Sequence, residues 1–193
     1  MAARTSPEDA RIWFWAGGAP AHRFLSNHYP SPFTIDAVTY ATVEHWYQSS
    51  KVLDPEERRR VIEAPTPLAA KERVKEVTIR SDWDDLKLDV MKRGAMEKFR
   101  QNRDLAERLV ATGDAELVHH SDWSDVFWAV DRKHGGLNHM GRILMELRDH
   151  FREARETPPG RPGERSSPHA PARRTRRSVE TEGRRSRPRR TRK

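Results

Sequence analysis

Glu44, Gln48 and Lys51 place a carboxylate, an amide and an amine four and three residues apart in the stretch TVEHWYQSSK. If that stretch is helical, the three side chains point within about 60° of one another at roughly 100° per residue. A carboxylate can stabilise a developing positive charge or activate water, and an amine whose charge is disfavoured by burial can attack carbon. Two readings fit the pair Glu44 and Lys51: a solvated ion pair, or two reactive groups facing one ligand. Seven residues of helix separate them by roughly 10 Å along the axis, which is poor spacing for a direct pair. Gln48 sits between them, and Ser26, Asn27 and His28 enter from just upstream. The picture is a gap about one sugar wide, suited to chemistry on a small polar molecule.

The elements that must position these groups can be read from start and stop signals. Arg11 to Trp15 reads as a short strand ended by Gly17-Gly18, and Thr34 to Tyr40 alternates as a second strand. Thr42 is the expected N-cap of the helix carrying Glu44, with Val43, Trp46, Tyr47 and Ser50 on its packed arc. Asp54-Pro55-Glu56-Glu57 and Thr66-Pro67 start two further helices. The longest helix is expected from about Asp82 through Trp83, Leu86, Val90 and Phe99 to a break at Asn102. A helical stretch from Leu105 to Val110 and a strand at Glu116 to His119 follow. A glycine-bearing loop at His134-Gly135-Gly136 then precedes a final amphipathic helix. The expected class is α+β and predominantly helical: a single compact domain with a few short strands and a disordered basic C-terminal tail.

Composition divides the chain unevenly. Residues 152–193 carry 15 Arg or Lys against 5 Asp or Glu, leaving 22 against 24 in the first 151 residues. The net charge of +8 therefore describes the end of the chain rather than its body. That end is rich in Pro, Ser and Arg and has Val179 as its one sizeable aliphatic residue, too little to bury a core. The expected organisation is an N-terminal segment (1–22), a catalytic domain (23–151) and a disordered basic tail (152–193). The tail's expected partner is nucleic acid, through non-specific attraction to phosphates. There is no cysteine, so disulfides and thiolate metal sites are excluded, and no signal-peptide or membrane-spanning pattern is present. A cytoplasmic location without membrane contact is expected.

Other constellations are weaker. The nine histidines show no HExxH or Cys/His spacing, so no metal site is expected and surface or loop roles are assigned to them. The glycines lack Walker and Rossmann spacing, and no cofactor is expected. Trp83 and Trp128 are either core residues or faces on which a base stacks, an interaction worth about 1–3 kcal/mol.

Five blocks, FLSNHYPSPF, TVEHWYQSSK, VMKRGAMEKF, LVATGDAELV and GGLNHMGRILMELR, together resemble the NADAR or YbiA-like N-glycosidase family over roughly Phe24 to Leu147. The resemblance implies hydrolysis of the N-glycosidic bond between a ribose and a base. The sugar would be ribose 5-phosphate on a pyrimidine intermediate of riboflavin synthesis, or ADP-ribose on a modified guanine of nucleic acid. It also implies that Glu44 and Lys51 are the catalytic carboxylate and lysine, with Asn27, Gln48, Trp83, Trp128 and Asn138 around the pocket. Ser26 joins them as a substrate-binding candidate, and Arg93 is a candidate phosphate clamp because guanidinium recognises phosphate bidentately. The chain departs from the family at Ala129 after Trp128, where glycine is common, at Asp131, and at Ala37 and Ala41 near the second strand. These departures bear on loop geometry and substrate choice. Two other classes remain open at this stage: a non-catalytic ADP-ribose or nucleotide-binding module, and a nucleic-acid-associated protein driven by its tail.

Overall fold

The computed structural model describes residues 11–121 and 125–156. The chain divides into two units, Met1–Pro158 and Pro159–Lys193, and the second lies outside the described residues. The expected disordered tail therefore falls outside them from residue 157 onward.

Strand β1 (Arg11–Phe14) pairs in parallel with β4 (Glu116–His119), in the register Arg11 with Glu116 to Phe14 with His119. The expected N-terminal segment is thus part of the main body, because Phe14 is fully buried in its core. A 3-10 turn over Pro20–Leu25 leads to β2 (Phe33–Ile35) and β3 (Val38–Tyr40), an antiparallel hairpin. The sequence reading treats Thr34 to Tyr40 as one strand; the structure folds it back at Asp36 and Ala37, both with positive φ (50° and 64°). Two consecutive left-handed residues define the tight turn that suits a twisted hairpin, and an alanine there carries steric strain that glycine would not.

Helix α1 (Val43–Ser49) has the expected Thr42 cap: the hydroxyl accepts from His45 N at 3.3 Å. Helices α2 (Pro55–Ile62) and α3 (Pro67–Val74) start at Asp54 and Thr66, each with Pro at the first turn. Helix α4 (Trp83–Gln101) closes at Asn102, α5 (Arg103–Val110) follows directly, and α6 (His139–Glu156) ends the described chain. The domain boundary expected after residue 151 falls inside α6, which continues for five more residues.

Helix α1 is the hub. It packs against α2, α3, α4 and β3, and all seven of its residues are buried, not one arc of it. Close approach of α4 is possible because Gly94 faces Trp46, where a β-carbon would collide with the indole, and Trp46 Nε1 donates to Val90 O at 2.8 Å. The main core gathers Phe14, Phe24, Phe33, Tyr40, Trp46 and Phe99 with aliphatic residues of α4 to α6, while a small aliphatic cluster of Val52, Val61, Ala64, Ala70 and Val74 sits under α2 and α3. The result is mixed α and β, mostly helical with a few short strands, as expected. No helix among the described residues is long and apolar enough to cross a membrane.

Candidate active site

Complete burial of a helix bearing Glu44, His45 and Gln48 requires a partner for each polar group. His45 is served by two elements: Thr42 Oγ1 lies 2.8 Å from Nδ1, and Ala64 O accepts at 3.0 Å from Nε2. A carbonyl can only accept, so Nε2 carries the proton and the Thr42 hydroxyl donates to Nδ1. Gln48 Nε2 donates to Glu44 Oε1 at 2.7 Å, and Glu44 Oε2 lies 3.8 Å from His28 Nε2. Glu44, only 7% exposed, faces a cavity of about 610 Å³.

The loop Ser26-Asn27-His28 forms one lip of that cavity and is fixed by three bonds. Asn27 O accepts from Glu44 N at 3.1 Å, Ser26 Oγ accepts from His28 N at 3.2 Å, and Ser26 O accepts from Lys98 Nζ at 2.9 Å. Lys98 is 1% exposed and also donates to Phe24 O at 2.6 Å. Burial pushes its ammonium down to about 7, and the Arg108 charge adds to that. Asn27 Nδ2 meets only Met91 Sδ, at 3.3 Å, while its Oδ1 is buried with no hydrogen-bond partner among the described residues. An unpaired buried acceptor on a cavity wall is a ready partner for a ligand hydroxyl or N–H.

Lys51 arrives differently from the expected stripe. Helix α1 ends at Ser49 with Ser50 as its C-cap, so Lys51 lies in the turn beyond it and shares the cavity by tertiary placement. Its amide donates to Gln48 O at 3.2 Å and its carbonyl accepts from Arg80 N at 2.9 Å. Its Nζ lies 4.9 Å from the Tyr47 ring centroid and 5.5 Å from that of Trp83. Burial lowers the Lys51 pKa from its ordinary value; the Glu44 charge opposes this and Lys71 reinforces it. Burial likewise raises the Tyr47 hydroxyl.

The expected binding residues separate on inspection. Ser26, Asn27, Gln48 and Trp128 line the cavity together with Glu44 and Lys51. Trp83 does not; it is buried against Tyr47 in an edge-to-face contact, centroids 4.9 Å apart, and its ring backs the Lys51 ammonium rather than the cavity itself. Asn138 is a brace: Nδ2 donates to Leu117 O at 2.9 Å and Oδ1 accepts from His119 N at 3.0 Å, joining the start of α6 to β4. Both ends of its amide are occupied, and its φ of 53° is the left-handed conformation that asparagine tolerates. Arg93 is also away from the lining, paired with both Asp36 carboxylate oxygens at 3.1 and 3.0 Å, its guanidinium carbon 5.5 Å from the Trp46 ring centroid. It is no phosphate clamp of this cavity.

Sequence reasoning missed the opposite walls. Trp15, Lys71, Lys75, Met91, His119 and Asp125 also line the cavity, brought there from distant parts of the chain, α3, α4 and β4 among them. His119 corrects the surface role given to the histidines: it stacks on Phe14 at 5.1 Å, and burial lowers its pKa to about 4. His45 is buried too. No local pattern could have grouped these residues, because their only relation is spatial. Among the described residues no cluster of three or more His, Cys, Asp or Glu could hold a metal. A second hollow of about 370 Å³, between α2 and α3, is bordered mainly by charged residues such as Glu57, Arg60 and Arg73 and offers no aromatic face.

Comparison with known proteins identifies the family and the fold. Residues 13–152 match the NADAR domain. The chain is 38% identical over 134 residues to a riboflavin biosynthesis protein of Vibrio vulnificus, covering 68% of this chain and 36% of that protein. It is 35% identical over 128 residues to the N-glycosidase YbiA of Escherichia coli, covering 65% of this chain and 79% of YbiA. An N-glycosidase of Nostoc punctiforme is 34% identical over 146 residues, covering 73% of this chain and 92% of that protein. The chain thus spans about a third of the Vibrio protein and most of the other two. The NMR structure of the Escherichia coli YbiA superimposes with a TM-score of 0.68 at 29% identity, covering 75% of this chain and 86% of that one.

Proposed function

This chain belongs to the NADAR domain family, and from that premise we propose that its cavity hydrolyses the N-glycosidic bond between a phosphorylated ribose and a base. The enzyme is a hydrolase acting on N-glycosyl bonds. The observation that carries this reading is the convergence of Glu44, Gln48, Lys51 and Asn27 on one cavity of about 610 Å³, a size that holds a nucleotide-like ligand.

Breaking the ribosyl C–N bond builds positive charge on the anomeric carbon and ring oxygen. Glu44, held by Gln48, stabilises that charge as carboxylates do in O-glycoside cleavage. Because burial lowers the Lys51 pKa, a larger fraction of it is the neutral amine, the form that attacks carbon. Attack on C1′ would form a Schiff base with the opened ribose, later released by water. Asn27 Oδ1 supplies an acceptor for a sugar hydroxyl, and Trp128 a face for the base.

The favoured substrate is a ribosylamino-pyrimidine phosphate, supported by the riboflavin biosynthesis name carried by a relative. ADP-ribose on guanine in nucleic acid is the second reading, supported by the 15 basic residues of positions 152–193. Released base is assayed with each substrate. Glu44→Gln should lower kcat by roughly 10²–10⁴-fold while binding persists; undiminished turnover removes Glu44 from the mechanism. Borohydride present during turnover should leave a ribose adduct on Lys51 by mass spectrometry, and its absence leaves water as the direct nucleophile. Substrate bound and recovered intact by the unaltered protein would make this a binding module instead.

A further inference from the structure

We propose that His28 is the proton carrier of the site, taking a proton from the attacking nucleophile and delivering it to the departing base. This role rests on the N-glycosidase reading and adds to it a group that neither Glu44 nor Lys51 replaces. A base leaves a ribose poorly as an anion, so cleavage needs a proton at the leaving nitrogen while the nucleophile must lose one.

His28 lines the cavity beside the candidate carboxylate, with Nε2 at 3.8 Å from Glu44 Oε2 and about a third of its side chain exposed. That spacing is built. The His28 amide is tied to Ser26 Oγ, the Asn27 carbonyl to the Glu44 amide, and the Ser26 carbonyl to buried Lys98, so loop and helix cannot shift independently.

The charged and titratable groups facing His28 are Glu44 and His45 on α1, Lys71 on α3 and His119 on β4. Burial lowers its pKa, Glu44 opposes the shift, and Lys71 and His45 add to it. At rest the ring is therefore neutral near pH 7 and able to accept. Glu44 is the one negative charge in that set and stabilises the imidazolium once formed.

The step balances. An O–H of water, or an N–H of the Lys51 amine, loses its proton to the imidazole as the nucleophile bonds to C1′. The C1′–N bond breaks with its electron pair on the base, and the imidazolium returns the proton to that nitrogen. The ring ends as it began, and water is the only co-reactant.

The test compares His28→Phe, which keeps a ring of similar volume without nitrogens, and His28→Gln with the unaltered full chain. Base release from a ribosylamino-pyrimidine phosphate is followed from pH 5 to 9. In both variants kcat should fall roughly 10²-fold with KM within a few-fold, and the acidic limb of the kcat profile should disappear. Circular dichroism confirms the fold; if the phenylalanine variant unfolds, the glutamine variant decides. A kcat within about three-fold of the unaltered protein, or a retained acidic limb, overturns the proposal while the N-glycosidase reading survives. No turnover by the unaltered protein overturns both. Independently of turnover, the His28 ring titrated by NMR should have a lower pKa in Glu44→Gln than in the unaltered chain, and an unchanged value overturns the pairing.

Discussion

The two walls of the cavity are built on opposite principles. On the α1 side the polar groups are buried and tied: Gln48 to Glu44, Asn27 to the first turn of the helix, Lys98 to the carbonyls of Phe24 and Ser26. On the α3 side Lys71, Glu72 and Lys75 border solvent, Lys75 pairs with Glu72 at 2.7 Å in water, and the core beneath is a small aliphatic cluster. A hydrogen bond in the dry wall fixes a side chain to within a fraction of an ångström, whereas an exposed ion pair is screened and contributes little. The difference teaches where chemistry can reside. Groups that must meet a transition state sit in the tied wall, and the solvated wall acts at a distance, through charges such as that of Lys71 on Lys51 and His28.

Breaking the tie from outside the cavity is the hardest test of that contrast. Lys98→Met removes both carbonyl bonds without touching the cavity lining. Base release should fall roughly 10²-fold, as it does when reacting groups are misplaced by about 1 Å. Hydrogen exchange at the Glu44 amide should accelerate in the same variant, and unchanged exchange with unchanged turnover would mean that the loop needs no tether.

A pH effect should follow from His119, on the β4 side of the cavity. His119 has a folded-state pKa of about 4, below its ordinary 6.5, so the unfolded chain binds the proton more tightly between those values. Its contribution is complete above about pH 6.5 and is lost as pH falls to about 4, amounting to about 3 kcal/mol. Urea denaturation at pH 7 and pH 4.5 should show the loss, and His119→Phe should flatten the dependence; an equal slope in the variant assigns it elsewhere. The smallest effect belongs to the exposed wall. Lys75→Met should change stability by less than about 0.5 kcal/mol, and a larger loss would show that wall to be tied as well.

Much of this was legible in the residues. Thr42, Asp54 and Thr66 mark helix starts through side chains that satisfy free N–H groups, and all three caps are present. The carboxylate and amide of Glu44 and Gln48 share a helix face because that spacing is a property of the helix itself. The hairpin was not legible, because alternation from Thr34 to Tyr40 looks alike on one strand or two, and alanine hides a turn that glycine would announce.

What the sequence determined by itself was local: where helices begin, which residues share a turn, and that an almost neutral body precedes a basic end. Only the tertiary structure decided that Lys51, just beyond its helix, still faces Glu44's cavity, that Asn138 and Arg93 are occupied elsewhere, and that a lysine of α4 holds the loop in place. The physical reason is range. Capping and helical spacing act within a few residues and leave a mark in the order of amino acids, whereas a buried ammonium finding two carbonyls more than seventy residues away leaves none.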